Sequence, residues 1–397
     1  MSAFGTMLSH EWLIIPITRQ VFFEEYWEKQ PLIVKRNQPQ YFGSLLSLDD
    51  IDRALTTLNL CYPDVTLKNA DRKITGEDYT LHGDALDLAK VYQLFGEGAT
   101  IVLSYLDTKL QPLAELCRNL ENEFSFPFQS NVYLTPAGAK GFKPHYDTHD
   151  VFVAQVVGSK KWTTYGAPVW HPLAGQEFDA SIHERGEPTL EFELEAGDTA
   201  YIPRGIVHDA RSGDSTSLHI TIGVLAYTWA ELLLESVAEI CLRTPEFRKA
   251  LPHGFARQPF DKATARETFG QLLQLLSEKS NMDGILDHFI DEFISACPPL
   301  LRGQMNQISN LDVLTIESKV GIRAGVNYHL QANGEFAALN CYGRRILFPR
   351  GAGEAVRFAL SGSQFAVRDL PGRLDDAGKL TLVRRLVREG LLIVLLP

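Results

Sequence analysis

Six short β-like runs, separated by glycine, proline and aspartate, fill residues 126–227. They read NVYLT, PHYDTHDVFVAQVV, KKWTTYG, LEFELE, DTAYIP and LHITIGVLAY. Many short strands with turn residues between them are typical of a β-sandwich or a jelly roll. The middle of the chain is therefore predicted to be an all-β domain.

The periodicity changes at Trp229. AELLLESVAEICLRTPEFRKAL repeats apolar residues at helical spacing, a second helical tract follows, and a small unit of mixed helices and strands begins near residue 305. A chain of 397 residues is long enough for two or three domains. We expect three parts, docked against one another, with bounds 1–228, 229–303 and 304–397.

The charge balance argues against a nucleic-acid partner. The chain has 38 Lys and Arg against 49 Asp and Glu, a net charge of −11, which suits a basic protein partner. Its five cysteines form no CxxC pair, so neither a disulfide framework nor a zinc knuckle is indicated, and a cytoplasmic location is expected. No apolar run approaches the roughly 20 residues that span a bilayer, so no membrane association is expected.

The stretch KPHYDTHDVF, residues 143–152, reads as a strand. Alternate side chains of a strand share a face, so His145 and Asp147 are predicted to point the same way. A third ligand, His208, follows Asp147 by 61 residues within GDTAYIPRGIVHDA. Two histidines and one carboxylate are the facial triad that holds iron(II) with open positions.

Alternatives remain for each histidine. An isolated HxD occurs often by chance, although the turn, strand and tight turn before His208 favour a jelly-roll ligand. His149 shares the face of His145 but lies about 13 Å along a strand, so it contacts substrate or packs. His219 is expected in the core or behind the ligands. Zinc is less favoured because no cysteine lies nearby.

Two segments resemble a known family. SNVYLTPAGAKGFKPHYDTHDVFVAQVVGSKKW at 130–162 and AGDTAYIPRGIVHDA at 196–210 resemble the JmjC-type, cupin-fold 2-oxoglutarate oxygenases, specifically the ribosomal oxygenase branch. The resemblance implies an α+β chain with a double-stranded β-helix (jelly-roll) catalytic domain, a helical segment that forms a homodimer, and a C-terminal winged-helix-like domain.

The same resemblance assigns roles in the site. His145, Asp147 and His208 fall on the ligands of Fe(II). Lys160 falls on the basic residue that pairs with the distal carboxylate of 2-oxoglutarate, although Lys161 beside it could be confused with it.

Three further positions fall on the co-substrate pocket in this resemblance: Asn131, Tyr133 and Thr221. Gly223 departs from the pattern, because some members have a serine there that can touch the co-substrate. One expected contact is therefore in doubt.

The implied activity consumes O2 and 2-oxoglutarate and hydroxylates a histidine or arginine in a ribosomal protein, so a basic peptide is the favoured substrate. Two alternatives keep the chemistry: a peptide natural-product hydroxylase and an N-methyl-lysine demethylase. A third is a non-catalytic metal-binding cupin scaffold. Residues 305–397 lack a long basic recognition helix, and Arg384, Arg385 and Arg388 are expected to form a solvated face, so direct nucleic-acid binding is not expected.

Overall fold

The computed structural model describes residues 8–333, 336–349 and 351–395. These residues form two compact units. The first ends at Ala226 and includes Leu300–Arg302, and the second contains the rest.

Antiparallel strands form the frame of the first unit. They are β1 Leu32–Val34, β2 Val65–Lys68, β3 Thr100–Leu103, β4 Phe128–Thr135, β5 Asp150–Val157, β6 Ser159–Thr164, β7 Leu190–Glu195, β8 Thr199–Ile202, β9 His208–Ser212 and β10 Ser217–Val224. One sheet has the order β1-β8-β5-β10-β4-β3-β2, and the other has the order β7-β6-β9. The predicted jelly-roll domain is confirmed.

The register across β4, β10 and β5 sets up the inner face of the larger sheet. His219 of β10 lies opposite Tyr133 and Gln155, and Thr221 lies in the next row of the same face. Side chains two residues apart share a face, so Gly223 occupies the third row. β5 is buried at all but its last residue, as expected for a central strand covered on both sides.

The predicted strand at 143–152 is only partly correct. His145 pairs with His208 as an isolated bridge, and regular pairing resumes only at Asp150. Regular strand geometry would keep the side chains at i and i+2 parallel, roughly 7 Å apart along the chain. Leaving the ladder lets those of His145 and Asp147 converge.

Helices close one side of the first unit. They are α1 His10–Ile14, α2 Arg19–Val21, α3 Leu48–Thr57, α4 Leu88–Gly96 and α5 Gln111–Phe124, with a π-helical turn at Phe22–Tyr26. α3 begins at a capping box in which the side chains of Ser47 and Asp50 each accept a hydrogen bond from the other's backbone N–H. Apolar helix faces pack against the larger sheet around Phe22, Phe152 and Tyr201.

A buried ion pair joins the two chain segments that carry the predicted ligands. Asp150 is fully buried and accepts hydrogen bonds from the Tyr201 hydroxyl at 2.7 Å and from Arg204 Nη1 at 2.6 Å. Arg204 also reaches Glu28 at 2.5 Å. Asp150 lies three residues after Asp147, and Arg204 lies four before His208, so this ion pair fixes the spacing of both segments.

The second unit contains six α-helices among its described residues: α6 Trp229–Arg243, α7 Ala263–Lys279, α8 Met282–Ala296, α9 Gln304–Ser309, α10 Gly353–Ala359 and α11 Asp376–Arg388. Its strands are β11 Lys319–Ile322, β12 His329–Asn333, β13 Phe336–Cys341, β14 Arg344–Phe348, β15 Phe365–Ala366 and β16 Leu392–Val394. They form two sheets, ordered β15-β11-β16 and β12-β13-β14. The boundaries expected near 228 and 303 stay predictions.

The expected solvated arginine face on α11 is confirmed for Arg385 and Arg388, which are both exposed, although the Arg385 guanidinium also covers the ring of Phe348 at 5.2 Å. It is wrong for Arg384, which is half-buried and approaches the carbonyl of Leu311 at 3.4 Å. Arginine stems pack readily on apolar surface, so charge alone did not predict the burial of Arg384.

The cysteines and the helices bear on two further expectations, about disulfides and about membrane association. None of the five cysteines, all of which lie among the described residues, forms a disulfide. Among the helices of the described residues, none has both the length and the apolar character that crossing a bilayer demands.

Replacement of Arg204 by alanine tests the buried ion pair. It leaves the Asp150 carboxylate buried without its cation, which typically costs about 3–5 kcal/mol. Urea denaturation of Arg204→Ala should show a loss of this size. Arg53→Ala, which breaks an exposed pair with Asp50, should cost no more than about 1 kcal/mol. Equal losses in the two variants would contradict this role for the buried pair.

Candidate active site

Three side chains converge in the first unit. Their ligand atoms all lie within 4.8 Å of one another. Asp147 Oδ1 lies 4.0 Å from His145 Nε2, and Asp147 Oδ2 lies 3.7 Å from His208 Nε2. No other group of three or more potential metal ligands is found in the described part of the chain.

Backbone pairing holds the two histidines together. The His145 N–H donates to the His208 carbonyl at 3.1 Å, and the His208 N–H donates to the His145 carbonyl at 2.8 Å. Residues that exchange both hydrogen bonds in an antiparallel pair have their Cα atoms about 5.5 Å apart. Backbone pairing thus brings together two ligands that are 63 residues apart in sequence.

Each histidine is oriented through its second ring nitrogen. His145 Nδ1 lies 2.8 Å from the Lys143 carbonyl, and His208 Nδ1 lies 3.0 Å from the Ile206 carbonyl. A carbonyl only accepts, so Nδ1 carries the proton in both rings and Nε2 presents its lone pair to the centre. Metal-binding histidines are oriented in this way in proteins.

The charges suit a divalent cation. Burial raises the pKa of Asp147, but His208, His145 and His149 oppose it and hold the pKa below its ordinary value. Burial and then the neighbouring His145 lower the pKa of His208. At neutral pH the group is therefore a carboxylate with a neutral His208 imidazole. Two imidazole nitrogens and one carboxylate, with no thiolate, fit iron(II) with coordination positions left open.

A cavity of about 270 Å³ extends from these ligands between the two sheets. Apart from the three ligands, its walls are aromatic, aliphatic and a few polar side chains: Tyr133, Gly141, Phe142, Val151, Val153, Lys160, Trp162, Ile202, Asp209, Ala210, His219 and Thr221.

Lys160 supplies the cavity with a buried amine. The residue is 5% exposed, its Nζ lies 3.2 Å from Thr135 Oγ1, and burial lowers the pKa of the ammonium from 10.5 to about 7. Lys161 is exposed on the other face of β6 and does not line the cavity. Geometry therefore separates the two lysines that sequence left ambiguous.

The other expected pocket residues take different positions. Tyr133 and Thr221 line the cavity. Burial and then Asp147 raise the pKa of Tyr133 to about 12, so the phenol stays protonated. Asn131 does not line the cavity. Its side-chain oxygen accepts from the backbone N–H of Tyr105 at 3.1 Å, and its side chain hydrogen-bonds Tyr133. Asn131 therefore acts on the cavity through Tyr133.

Sequence reasoning placed His219 in the core or behind the ligands and gave no role to Asp209, whereas both residues line the cavity. His219 stacks on Tyr133 with ring centroids 4.9 Å apart, and Trp162 meets it edge-on. The alternation of LHITI, which places His219 on the face of Thr221, could have found it. Asp209, adjacent to His208, is paired with Lys140 at 2.8 Å, and spacing alone gave no signal for that pair.

Residues between the ligands pack outward. Tyr146 lies between His145 and Asp147 in sequence, is buried, and donates from its hydroxyl to the Gln176 carbonyl at 2.9 Å. It packs with Val207, the neighbour of His208, under the β6–β7 loop. The two ligand segments are thus held by this packing as well as by the backbone pairing of His145 with His208.

Comparison with known proteins agrees with this geometry. The JmjC domain family matches residues 106–232, which include all three ligand positions. Mouse ribosomal oxygenase 2 is 30% identical over 97% of this chain and 91% of its own length. The bifunctional lysine-specific demethylase and histidyl-hydroxylase NO66 of Drosophila mojavensis is 33% identical over 73% of this chain, which spans only 35% of that protein.

Solved structures share the fold. Escherichia coli YcfD, a ribosomal oxygenase, was solved in complex with cobalt and 2-oxoglutarate. That structure is 19% identical, with a TM-score of 0.56 over 96% of this chain and 99% of its own. The X-ray structure of E. coli ycfD gives 16% identity and a TM-score of 0.57.

The fold and the site define a JmjC-domain oxygenase. More narrowly, the chain belongs to the ribosomal oxygenase family, and the predicted family is confirmed.

The depressed pKa of Lys160 predicts proton uptake on co-substrate binding. Below about pH 7 the ammonium is already charged, whereas at higher pH the neutral amine must gain a proton to hold a carboxylate. At pH 8, titration calorimetry of 2-oxoglutarate into manganese-loaded protein, in buffers of different ionisation enthalpy, should report uptake approaching one proton. Lys160→Arg stays charged and should take up none. Equal uptake by the two proteins, or no uptake by the wild type, would refute this.

Proposed function

We propose that the protein is an iron(II)- and 2-oxoglutarate-dependent oxygenase that hydroxylates a histidine or arginine side chain of a ribosomal protein. The observation that carries the proposal is the convergence of His145, Asp147 and His208 on a cavity that also holds a buried lysine. A metal site alone fits many proteins, but a facial triad beside a buried cation fits a dicarboxylate co-substrate.

The chain's own residues have separate tasks in this proposal. Iron(II), 2-oxoglutarate and O2 together supply the oxidising power for C–H hydroxylation. His145, Asp147 and His208 hold the metal on one face. Lys160 holds the distal carboxylate in a pocket where charge is poorly screened by water, with Thr135 beside its ammonium.

The walls of the cavity keep water from the reacting centre. Phe142 packs against both Tyr133 and His145, at centroid distances of 5.8 and 5.5 Å. Val151 and Val153 add aliphatic surface to the same wall. Tyr133, protonated throughout the physiological range, and Thr221 can donate hydrogen bonds to a bound oxygen ligand.

Charge favours a basic substrate. Residues 1–302 contain 26 Lys and Arg against 41 Asp and Glu, so their field attracts a cationic peptide such as a ribosomal protein segment. The names of the relatives, ribosomal oxygenase and histidyl-hydroxylase, agree with this substrate class. The lysine-specific demethylase activity in the name of NO66 supports demethylation as the second candidate.

One experiment separates these functions. The protein, iron(II), 2-oxoglutarate and ascorbate are incubated with purified ribosomal proteins, followed by peptide mass spectrometry and a formaldehyde assay. We expect a gain of one oxygen atom on a histidine or arginine and no formaldehyde. Asp147→Ala should abolish the gain, whereas Asp214→Ala, at an exposed loop, should keep it. Formaldehyde release would favour demethylation, and no modification of any substrate would overturn the proposal.

We also propose that the second unit contributes a homodimer interface and a winged-helix-like docking module. α6, α7 and α8 each expose large apolar side chains four residues apart: Trp229, Leu233 and Val237, then Phe269 and Leu273, then Leu286 and Ile290. Rows of exposed apolar side chains on helices mark interaction surfaces when they join into a large patch. A second copy is the occupant that the family resemblance favours, and the cytoplasmic location stays a prediction.

A charged substitution tests the dimer. Light scattering should give about twice the chain mass of 44.4 kDa for the wild type. Leu233→Asp, at a side chain that is 56% exposed, should reduce it to the monomer mass because a dimer would bury the carboxylate unpaired. Leu81→Asp, at a similarly exposed leucine of the first unit, should stay dimeric. A wild type that scatters as a monomer would refute the interface.

A further inference from the structure

A glycine lies on the cavity face where the chain leaves room for another side chain. His219 and Thr221 of β10 both line the cavity, and Gly223 is the next position on the same face. Its neighbours across the sheet are Gln129 and Val151.

The ring of His149 fills the space above this glycine. A Cβ atom at position 223 would lie 2.6 Å from His149 Cδ2, 2.8 Å from His149 Nε2 and 3.3 Å from Gln129 Cγ. Contacts below 3.0 Å are not formed by real Cβ atoms. The His149 ring in this position and any residue larger than glycine at 223 therefore exclude each other. This is a physical reason for the glycine at a position where some members of the family have serine.

This place is at the far end of the cavity face from the co-substrate. Burial, and after it the charge of Lys160, lowers the pKa of His219, so Lys160 lies beside His219. Gly223 is four residues further along the strand, roughly 13 Å at the usual rise. The ring of His149 packs on Gly223, so it also lies at this end of the face.

The polar groups at this end have hydrogen-bonding capacity to spare. His149 and Gln129 are both half-buried. Among the described residues, neither side chain takes part in a hydrogen bond. Polar groups at the edge of an otherwise apolar cavity fix the orientation of a ligand.

We propose that His149 and Gln129, brought together above Gly223, form the substrate-side wall of the site and bind the flat, nitrogen-bearing side chain of the target residue, an imidazole or a guanidinium. The imidazole of His149 gives a ring against which a planar group stacks, and the Gln129 amide oxygen accepts from its N–H. This inference rests on the proposed function and names the residues that hold its target side chain.

Ligand binding tests the wall without requiring turnover. Zinc-loaded protein with 2-oxoglutarate is probed by saturation-transfer NMR with Nα-acetyl-arginine amide, Nα-acetyl-histidine amide and Nα-acetyl-leucine amide. We expect transfer to the arginine and histidine probes, at least threefold more than to leucine. His149→Ala should lose this preference, and so should Gly223→Ala, because its methyl group displaces the ring.

The double variant His149→Ala/Gly223→Ala shows whether Gly223→Ala acts by moving the His149 ring or by disturbing the fold. If Gly223→Ala acts only by moving His149, adding it to His149→Ala should cause no further loss. His253→Ala and Gly270→Ala, at an exposed histidine and at a glycine with open space around its Cβ, should behave as wild type. Additive losses, a leucine probe that binds equally, or no transfer to wild type would each overturn the proposal. Failure of the wild type to bind 2-oxoglutarate would instead overturn the proposed function.

Discussion

The backbone pairing of His145 with His208 is the interaction on which the site depends. Two reciprocal hydrogen bonds join the segment before β5 to the first residue of β9. A different neighbouring carbonyl orients each imidazole. These reciprocal hydrogen bonds hold the backbones of two ligand residues side by side, so the metal site depends on the pairing of these two segments.

The rest of the first unit keeps that pair in place. The buried Asp150 and Arg204 pair ties the two ligand segments together on one side, and Tyr146 and Val207 support them from the other. The inner face of the first unit has different polar residues at its two ends. Lys160 and His219 lie at one end, and His149 and Gln129 lie at the other. In the proposed function, the co-substrate and the target side chain would bind at opposite ends of this face.

Much of this could be predicted from sequence, for stated physical reasons. The strand-like runs and the turn residues between them predicted the jelly roll. The chemistry and spacing of His145, Asp147 and His208 predicted that these three side chains converge. Contacts between distant segments could not be predicted in this way. The break in the ladder after His145, the burial of Lys160 but not Lys161, the placement of Asn131 behind Tyr133 and the packing of Arg385 on Phe348 each depend on which segment lies opposite.

The most direct test of the account is anaerobic reconstitution with iron(II) and 2-oxoglutarate, followed by absorption spectroscopy. The wild type should develop the metal-to-ligand band of a chelated 2-oxo acid. His145→Ala should lose the band because the variant lacks a ligand of the metal. Lys160→Ala should need a much higher 2-oxoglutarate concentration to develop the band. Lys161→Ala should match the wild type. A wild-type protein without the band, or a Lys160→Ala variant that binds 2-oxoglutarate as tightly as wild type, would contradict the account.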